Sequence, residues 1–381
     1  MDAVLVAAAV VTPERVLRPG WVRVVGDRID GVGEGPPLGG GVTDLGDSIL
    51  VAGLVDVHCH GGGGESFGAD AEASAGAAAA HLAHGTTSVV ASLVSGPQDR
   101  MLREIASLAS LVEDGVIAGV HLEGPWLSHA QCGAHDPSQL RAPSPGEVRA
   151  LLANPVVRMV TLAPELDGAL DAVRAIVDAG AVAALGHTDA DLATTRAAIA
   201  AGARQATHLF NAMRPLRHRD PGPVLALLED DRVALELVRD GVHLDPDLCA
   251  WLDSTVAPHR LVAVTDAMAA AAGDGGRYVL GSLDVDVIDG VARVAGTDTI
   301  AGSTATADAL FRSVAGPSYD DASLQRAGLQ TATNPARALG LDDVGALAAG
   351  LRADLVALDP EALRVRGVLR AGAWATAPGM R

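Results

Sequence analysis

Eight short runs rich in aliphatic and β-branched residues recur through the middle of the chain, and this recurrence constrains the fold more than any other feature. They fall at 50–57, 86–91, 116–122, 156–162, 181–186, 204–209, 233–238 and 261–265. Between most of them lie Ala/Leu-rich stretches of helical period, such as DAVRAIVDAG and DLATTRAAIAAG. Strands that alternate with helices imply parallel β/α units, and eight is the number that closes a (β/α)8 barrel of the TIM type. The open alternative, a doubly wound sheet, needs a G-x-G-x-x-G turn after its first strand. HGGGG at 60–64 does not supply one.

The ends have a different character. Residues 1–50 read as short strands punctuated by Pro and Gly, and DLVALDP and LRVRGVLRAG repeat that style near the C-terminus. The expected class is therefore α/β: a barrel over 51–340 with a small β-sandwich domain built from both termini, 1–50 and 341–381. Asp289-Gly290 between two β-like runs predicts a β-hairpin insertion at about 275–297.

In such a barrel the chemistry sits at the C-terminal ends of the strands. Strand one runs into His58 and His60, strand three into Glu123, strand five into His187, strand six into His208 and Asn211, strand seven toward His243, and strand eight into Asp266. Residues i and i+2 of a strand share a face, so His58 and His60 point together into the barrel mouth. Alone, an H-x-H pair or a single Glu is weak evidence. The conjunction at one end of one barrel predicts a divalent metal centre, with imidazole and carboxylate donors that suit Zn²⁺ and also Fe²⁺ or Mn²⁺. His81, His84, His129, His218 and His259 are expected to be solvated or packing histidines.

Composition closes several other routes. All 28 basic residues are arginine, which excludes a lysine Schiff base, a Walker-A phosphate loop and a carbamylated-lysine metal bridge. The net charge of −19 argues against nucleic acid and anionic membrane surfaces as partners. Three cysteines, Cys59, Cys132 and Cys249, provide no disulfide framework and fit a reducing, cytoplasmic setting. Asp2 stands where a signal peptide would carry its basic region, so MDAVLVAAAVV is read as a first strand. No G-x-S-x-G elbow is present.

Several motifs together, HLEGPW, GAHDP, GHTDA, THLFNAM, DGVHLD, VTDAM and AGS, in this order and over almost the whole chain, resemble the N-acetylglucosamine-6-phosphate deacetylase family of the amidohydrolase superfamily. The resemblance implies hydrolysis of the acetamide of N-acetylglucosamine 6-phosphate to glucosamine 6-phosphate and acetate. It implies Glu123, His187 and His208 as metal ligands. Some members lack the strand-one histidines and hold one metal; this chain keeps His58 and His60, so one or two ions per chain are expected, with Glu123 bridging two. Asp266 would be the catalytic aspartate and a metal-site residue, and His135 the partner of the substrate carbonyl or sugar. Asn211, Ala212, Arg219, His243 and Ile300 would contact the sugar phosphate. A homodimer is implied, with Arg219 a candidate for donation across its interface. The chain departs from the family pattern at Ala52, where the family's opening motif has Pro, and at Cys132, where relatives often carry a basic residue. The alternatives are an enzyme for N-acetylgalactosamine 6-phosphate or another N-acyl sugar, and a non-catalytic amidohydrolase-like scaffold.

Overall fold

The computed structural model describes residues 2–37 and 41–378. The chain divides into two compact units. One comprises Met1–Asp56, Ala79–Ser88 and Thr306–Arg381, the other Val57–Ala78 and Val89–Ala305.

In the first unit, chain from both ends forms two sheets. One has four strands in the order Arg28–Glu34, Gly20–Val25, Asp2–Ala7 and Val42–Asp44. The other has six, in the order Ala373–Thr376, Val365–Arg370, Leu355–Leu358, Ile49–Ala52, Ala9–Val11 and Val16–Leu17. The strand GWVRVV alternates buried and less buried residues, the period-two pattern of a sheet with one covered face. Leu5, Val22 and Ile29 from the first sheet and Leu50, Leu355 and Leu369 from the second share one core. This is the sandwich expected from the two termini.

The eight-stranded parallel sheet runs in sequence order: Leu54–Cys59, Thr86–Val94, Gly119–Glu123, Val157–Leu162, Val182–Leu185, Gln205–Ala206, Ala234–Leu237 and Leu261–Ala263. We number these barrel strands one to eight. The ring closes at its mouth, where the Asp266 amide donates to the His58 carbonyl (2.8 Å) and the His60 amide to that of Ala267 (2.7 Å). Helices cover the outside through apolar stripes. In Gln98–Glu113 the buried residues are Met101, Ile105, Leu108 and Leu111, spaced by three and four.

Two expectations are corrected. The run at 50–57 is two strands: Ile49–Ala52 belongs to the terminal sheet, and barrel strand one begins at Leu54. They part at Gly53, where a Cβ would collide with Thr87 and stand 2.8 Å from the Asp354 Cβ. The insertion is a three-stranded antiparallel ribbon, Gly276–Leu280, Leu283–Ile288 and Val291–Val294, rather than one hairpin. Asp289-Gly290 does make the expected turn, with φ of 51° and 77°. The missed turn, Gly281-Ser282, relies on a single glycine at φ 62°. Among the described residues no helix is long and apolar enough to cross a membrane.

Strand five ends at Leu185, and Gly186 follows it directly before His187. A Cβ there would lie 2.7 Å from the Thr207 Cβ and 3.0 Å from the Thr161 Cγ2. Gly186→Ala is therefore expected to destabilise the barrel by about 1–3 kcal/mol, as overpacking does. A lowered midpoint of urea unfolding with an unchanged slope would register it.

Candidate active site

The barrel interior below its mouth is polar rather than aliphatic. His121 lies between Ser92 and Thr161, 2.9 Å from the Ser92 Oγ and 2.8 Å from the Thr161 Oγ1, and Thr161 pairs with Thr207 at 2.7 Å. Burial holds the His121 imidazole well below its ordinary pKa, and the neighbouring His58 adds to that. A neutral histidine thus fills the floor, edge-on to the His58 ring at 4.6 Å.

Above this floor stands the carboxylate of Glu123, 3% exposed. Five imidazole nitrogens surround it. Oε1 lies 3.2 Å from the His187 Nε2, 3.1 Å from the His208 Nε2 and 3.5 Å from the His58 Nε2. Oε2 lies 3.1 Å from the His60 Nε2 and 3.2 Å from the His135 Nε2. Asp266 completes the cluster; its Oδ1 is 3.4 Å from the His58 Nε2 and 3.3 Å from the His60 Nε2.

The elements aim these side chains. His58 and His60 leave strand one on the same face, while Cys59 between them is buried with its thiol toward the Gly61 carbonyl. His187, His208 and Asp266 each occupy the left-handed backbone region, with φ of 46°, 30° and 48°. Non-glycine residues reach that region only at a cost of order 1–3 kcal/mol, and such strain gathers at functional sites. Packing helps to hold Asp266: its carbonyl accepts from the Ser303 amide at 2.7 Å, beside Gly302, whose missing Cβ would sit 2.8 Å from that oxygen.

The electrostatics are those of two carboxylates in a dry space. Burial opposes charge on His58, but Glu123 and Asp266 outweigh it and raise this imidazole well above its usual range. His60 is desolvated too, yet hydrogen bonds to Asp266 and Glu123 push it up to about 9. Burial would raise the Glu123 carboxyl; His58 and the hydrogen bonds from His135, His187 and His208 bring it well below the carboxylate range. His187, where desolvation dominates, falls to about 4.

This donor set fits divalent metal. His58, His60 and Glu123 form one trio and Glu123, His187 and His208 another, each with its ligand atoms within 4.8 Å of one another. Within the trios imidazole nitrogens face each other, His187 and His208 at 3.0 Å and His58 and His60 at 3.2 Å. At most one proton can lie between such nitrogens, so lone pairs are directed into the cluster. The remote nitrogens of two rings are anchored. The His187 Nδ1 donates to the Gln131 carbonyl at 2.9 Å, and the His58 Nδ1 lies 3.0 Å from the Glu236 Oε2. Both contacts leave Nε2 as the outward donor.

Glu236 escaped the sequence reading. It is wholly buried on strand seven, hydrogen-bonded to the Gln205 side chain, and its Oε2 also accepts from the His208 amide at 3.2 Å. The available signal was a charged residue in VALELV, a run otherwise apolar. Asp240 was also passed over; its carboxylate takes the His243 Nδ1 at 2.8 Å. Burial lowers His243, but Asp240 and Asp266 outweigh it and the imidazole rises above its ordinary value.

A cavity of about 410 Å³ opens over the cluster. Of the residues expected at the sugar phosphate, it takes in Asn211, Ala212, His243 and Ile300, and Cys132 also reaches it. Arg219 is different: it is exposed and lies outside the residues that line this cavity.

The sequence model of the amidohydrolase family matches residues 49–376. The chain is 37% identical over 350 residues to the N-acetylglucosamine-6-phosphate deacetylase of Bos taurus, covering 86% of this chain and 84% of the relative. It is 35% identical over 367 residues to the N-acetylgalactosamine-6-phosphate deacetylase of Escherichia coli O157:H7, covering 94% and 96%. Among solved structures it resembles a variant of the N-acetyl-D-glucosamine-6-phosphate deacetylase of Mycobacterium smegmatis in complex with N-acetyl-D-glucosamine-6-phosphate. That likeness has a TM-score of 0.95 and 51% identity over 99% of this chain and 100% of the other.

Replacing Glu236 with Gln keeps the shape and removes the charge behind His58. We expect Glu236→Gln to weaken divalent-metal binding by about 10–100-fold, as loss of such outer partners does. Competition against a chromogenic chelator measures it without reference to turnover.

Proposed function

The chain belongs to the amidohydrolase family, and from that premise we propose that it deacetylates N-acetylglucosamine 6-phosphate, releasing glucosamine 6-phosphate and acetate. The observation that carries this reading is the paired-trio cluster around Glu123 at the floor of a cavity lined by Asn211 and His243.

His58, His60, Glu123, His187 and His208 would hold one or two divalent ions, with Zn²⁺ ahead of Fe²⁺ and Mn²⁺. Glu123 belongs to both trios, so its carboxylate would serve either ion. A bound cation acidifies water and polarises the carbonyl. The chain's own groups do the rest. Asp266, deprotonated in this cluster despite its burial because His58 and the His60 hydrogen bond favour the anion, takes a proton from the attacking water and returns it to the departing nitrogen. The His135 Nδ1 accepts from the Ser95 amide at 3.4 Å. That leaves its proton on Nε2, which donates to the carbonyl oxygen as charge develops there.

The phosphate must be bound without lysine. His243, whose protonated form Asp240 favours, would meet the phosphate, and Asn211 adds a donor. Arg219 supplies the guanidinium fork from a second copy of the chain in a homodimer. Its exposure and its position outside the cavity support that arrangement. The free cysteines fit a cytoplasmic setting. The epimeric N-acetylgalactosamine 6-phosphate is the second reading, favoured by the 96% coverage of the Escherichia coli relative.

Acetate release from the two epimers side by side, with metal analysis of the same preparation, tests the reading. Asp266→Asn should lower kcat by about 10²–10⁴ while metal content stays at the wild-type level. A residual rate above a tenth of wild type would remove Asp266 from the proton transfer.

The shared site is tested by mixing Arg219→Ala chains with Asp266→Asn chains. If Arg219 acts across the interface, each mixed dimer regains one complete site and activity recovers. No recovery in verified mixed dimers rejects the shared site.

A further inference from the structure

A second cavity, of about 250 Å³, adjoins the first. The two share three lining residues, His60, Val94 and Leu280. Beyond that partition the second cavity has a mixed wall: Phe67, Ala69, Leu93 and Val279 on one hand, and Ser66, Ser92 and the Arg100–Glu104 ion pair (3.4 Å) on the other. Phe67 and Leu93 are buried at 6% and 2% exposure, and Val279 on the antiparallel ribbon is 52% exposed. The space therefore runs outward from His60, past the buried Phe67 and Leu93, to the exposed Val279. The ribbon turn comes close here: a Cβ on Gly281 would lie 2.7 Å from the Val94 Cγ2. The turn is fixed from the other side by the Ser282 hydroxyl, which donates to the Asp136 Oδ2 at 3.1 Å, beside His135. Nothing in the proposed deacetylation uses this compartment.

Its position follows from the geometry of an amide. The carbonyl carbon carries its nitrogen and its acyl carbon on opposite sides. In the proposed deacetylation the sugar phosphate lies beside Asn211 and His243 and the carbonyl beside His135, all of which line the first cavity. That placement would direct the alkyl substituent of the carbonyl carbon toward His60, Val94 and Leu280, the residues common to both cavities. A methyl group ends at that partition, and a longer chain continues between Phe67 and Leu93.

We propose that the second cavity is an acyl compartment, and that the enzyme hydrolyses N-acyl glucosamine 6-phosphates with acyl chains of three or four carbons as well as the acetyl compound. The proposal rests on the deacetylase reading of the same site. The reaction balance is unchanged. Water oxygen bonds to the carbonyl carbon, the bond from that carbon to nitrogen breaks, and the products are a carboxylate and a protonated amine.

The test is kcat/KM for N-acetyl, N-propionyl and N-butyryl glucosamine 6-phosphate. A closed pocket rejects one added methylene by about 10–200-fold. An open compartment should keep N-butyryl within about tenfold of N-acetyl, and a larger loss overturns the proposal. Val279→Trp closes the outer end from an exposed ribbon position, and Ser66→Phe fills the cavity from within. Each should lower N-butyryl hydrolysis at least tenfold relative to N-acetyl, whose own rate stays within about twofold of wild type. Equal effects of both variants on all three substrates overturn the compartment. The two readings separate cleanly: normal acetate release with steep rejection of longer chains defeats this proposal alone, and absence of hydrolysis for every acyl sugar defeats the deacetylase reading and this proposal with it.

Discussion

The carboxylate of Glu123 is the constraint on which the site depends. An ionised carboxylate taken out of water costs several kcal/mol unless opposite charge meets it. Five imidazoles do so at 3.1–3.5 Å, and Asp266 adds a second negative charge within the same shell. With two carboxylates so close, positive charge is required whatever carries it, whether protons on the imidazoles or divalent ions. The cavity above is thereby built around a demand for cations. The same demand explains the investment beneath it, where Glu236 orients His58 and fixes the backbone of His208. His121 is held neutral where a further charge would compete.

Charge is managed locally against the global field. The chain carries −19 overall, which repels an anionic substrate. Asp240 lies behind His243, a residue of the cavity lining, with its carboxylate 2.8 Å from the imidazole Nδ1. By accepting a hydrogen bond from Nδ1, it raises the imidazole above its ordinary pKa against the effect of burial. A lysine could have carried the charge directly. In a chain that has none, a histidine backed by an aspartate is the group whose protonated form this cavity favours.

The barrel was legible because each strand is a short aliphatic run flanked by helical sequence, and period and length survive translation into structure. His58 and His60 were legible for the same reason, since alternation along a strand determines the face. Strand ends also pointed to Glu123, His187, His208 and Asp266, and the structure brings all six together. What sequence could not convey was backbone conformation. Nothing in GHT, THLF or TDAM announces a left-handed residue at His187, His208 or Asp266. Gly53 was read as part of one strand, although only the approach of Thr87 and Asp354 reveals it as a break. Glu236 was hidden by its setting in an apolar run. Arg219, placed by motif alone, lies outside the cavity lining, and a single chain's sequence holds no information about what a second copy brings.

The terminal sandwich has a consequence for how this protein is made. Strand Ile49–Ala52, buried at every residue, pairs antiparallel with Leu355–Leu358. On the ribosome the first strand emerges roughly 300 residues before its partner exists, an interval of about 15–60 s at ~5–20 residues per second. Throughout that interval an aliphatic strand edge stands open while the β/α repeats between them are still being translated. The nascent chain therefore offers a chaperone a binding segment near its beginning that is withdrawn only when synthesis is almost over.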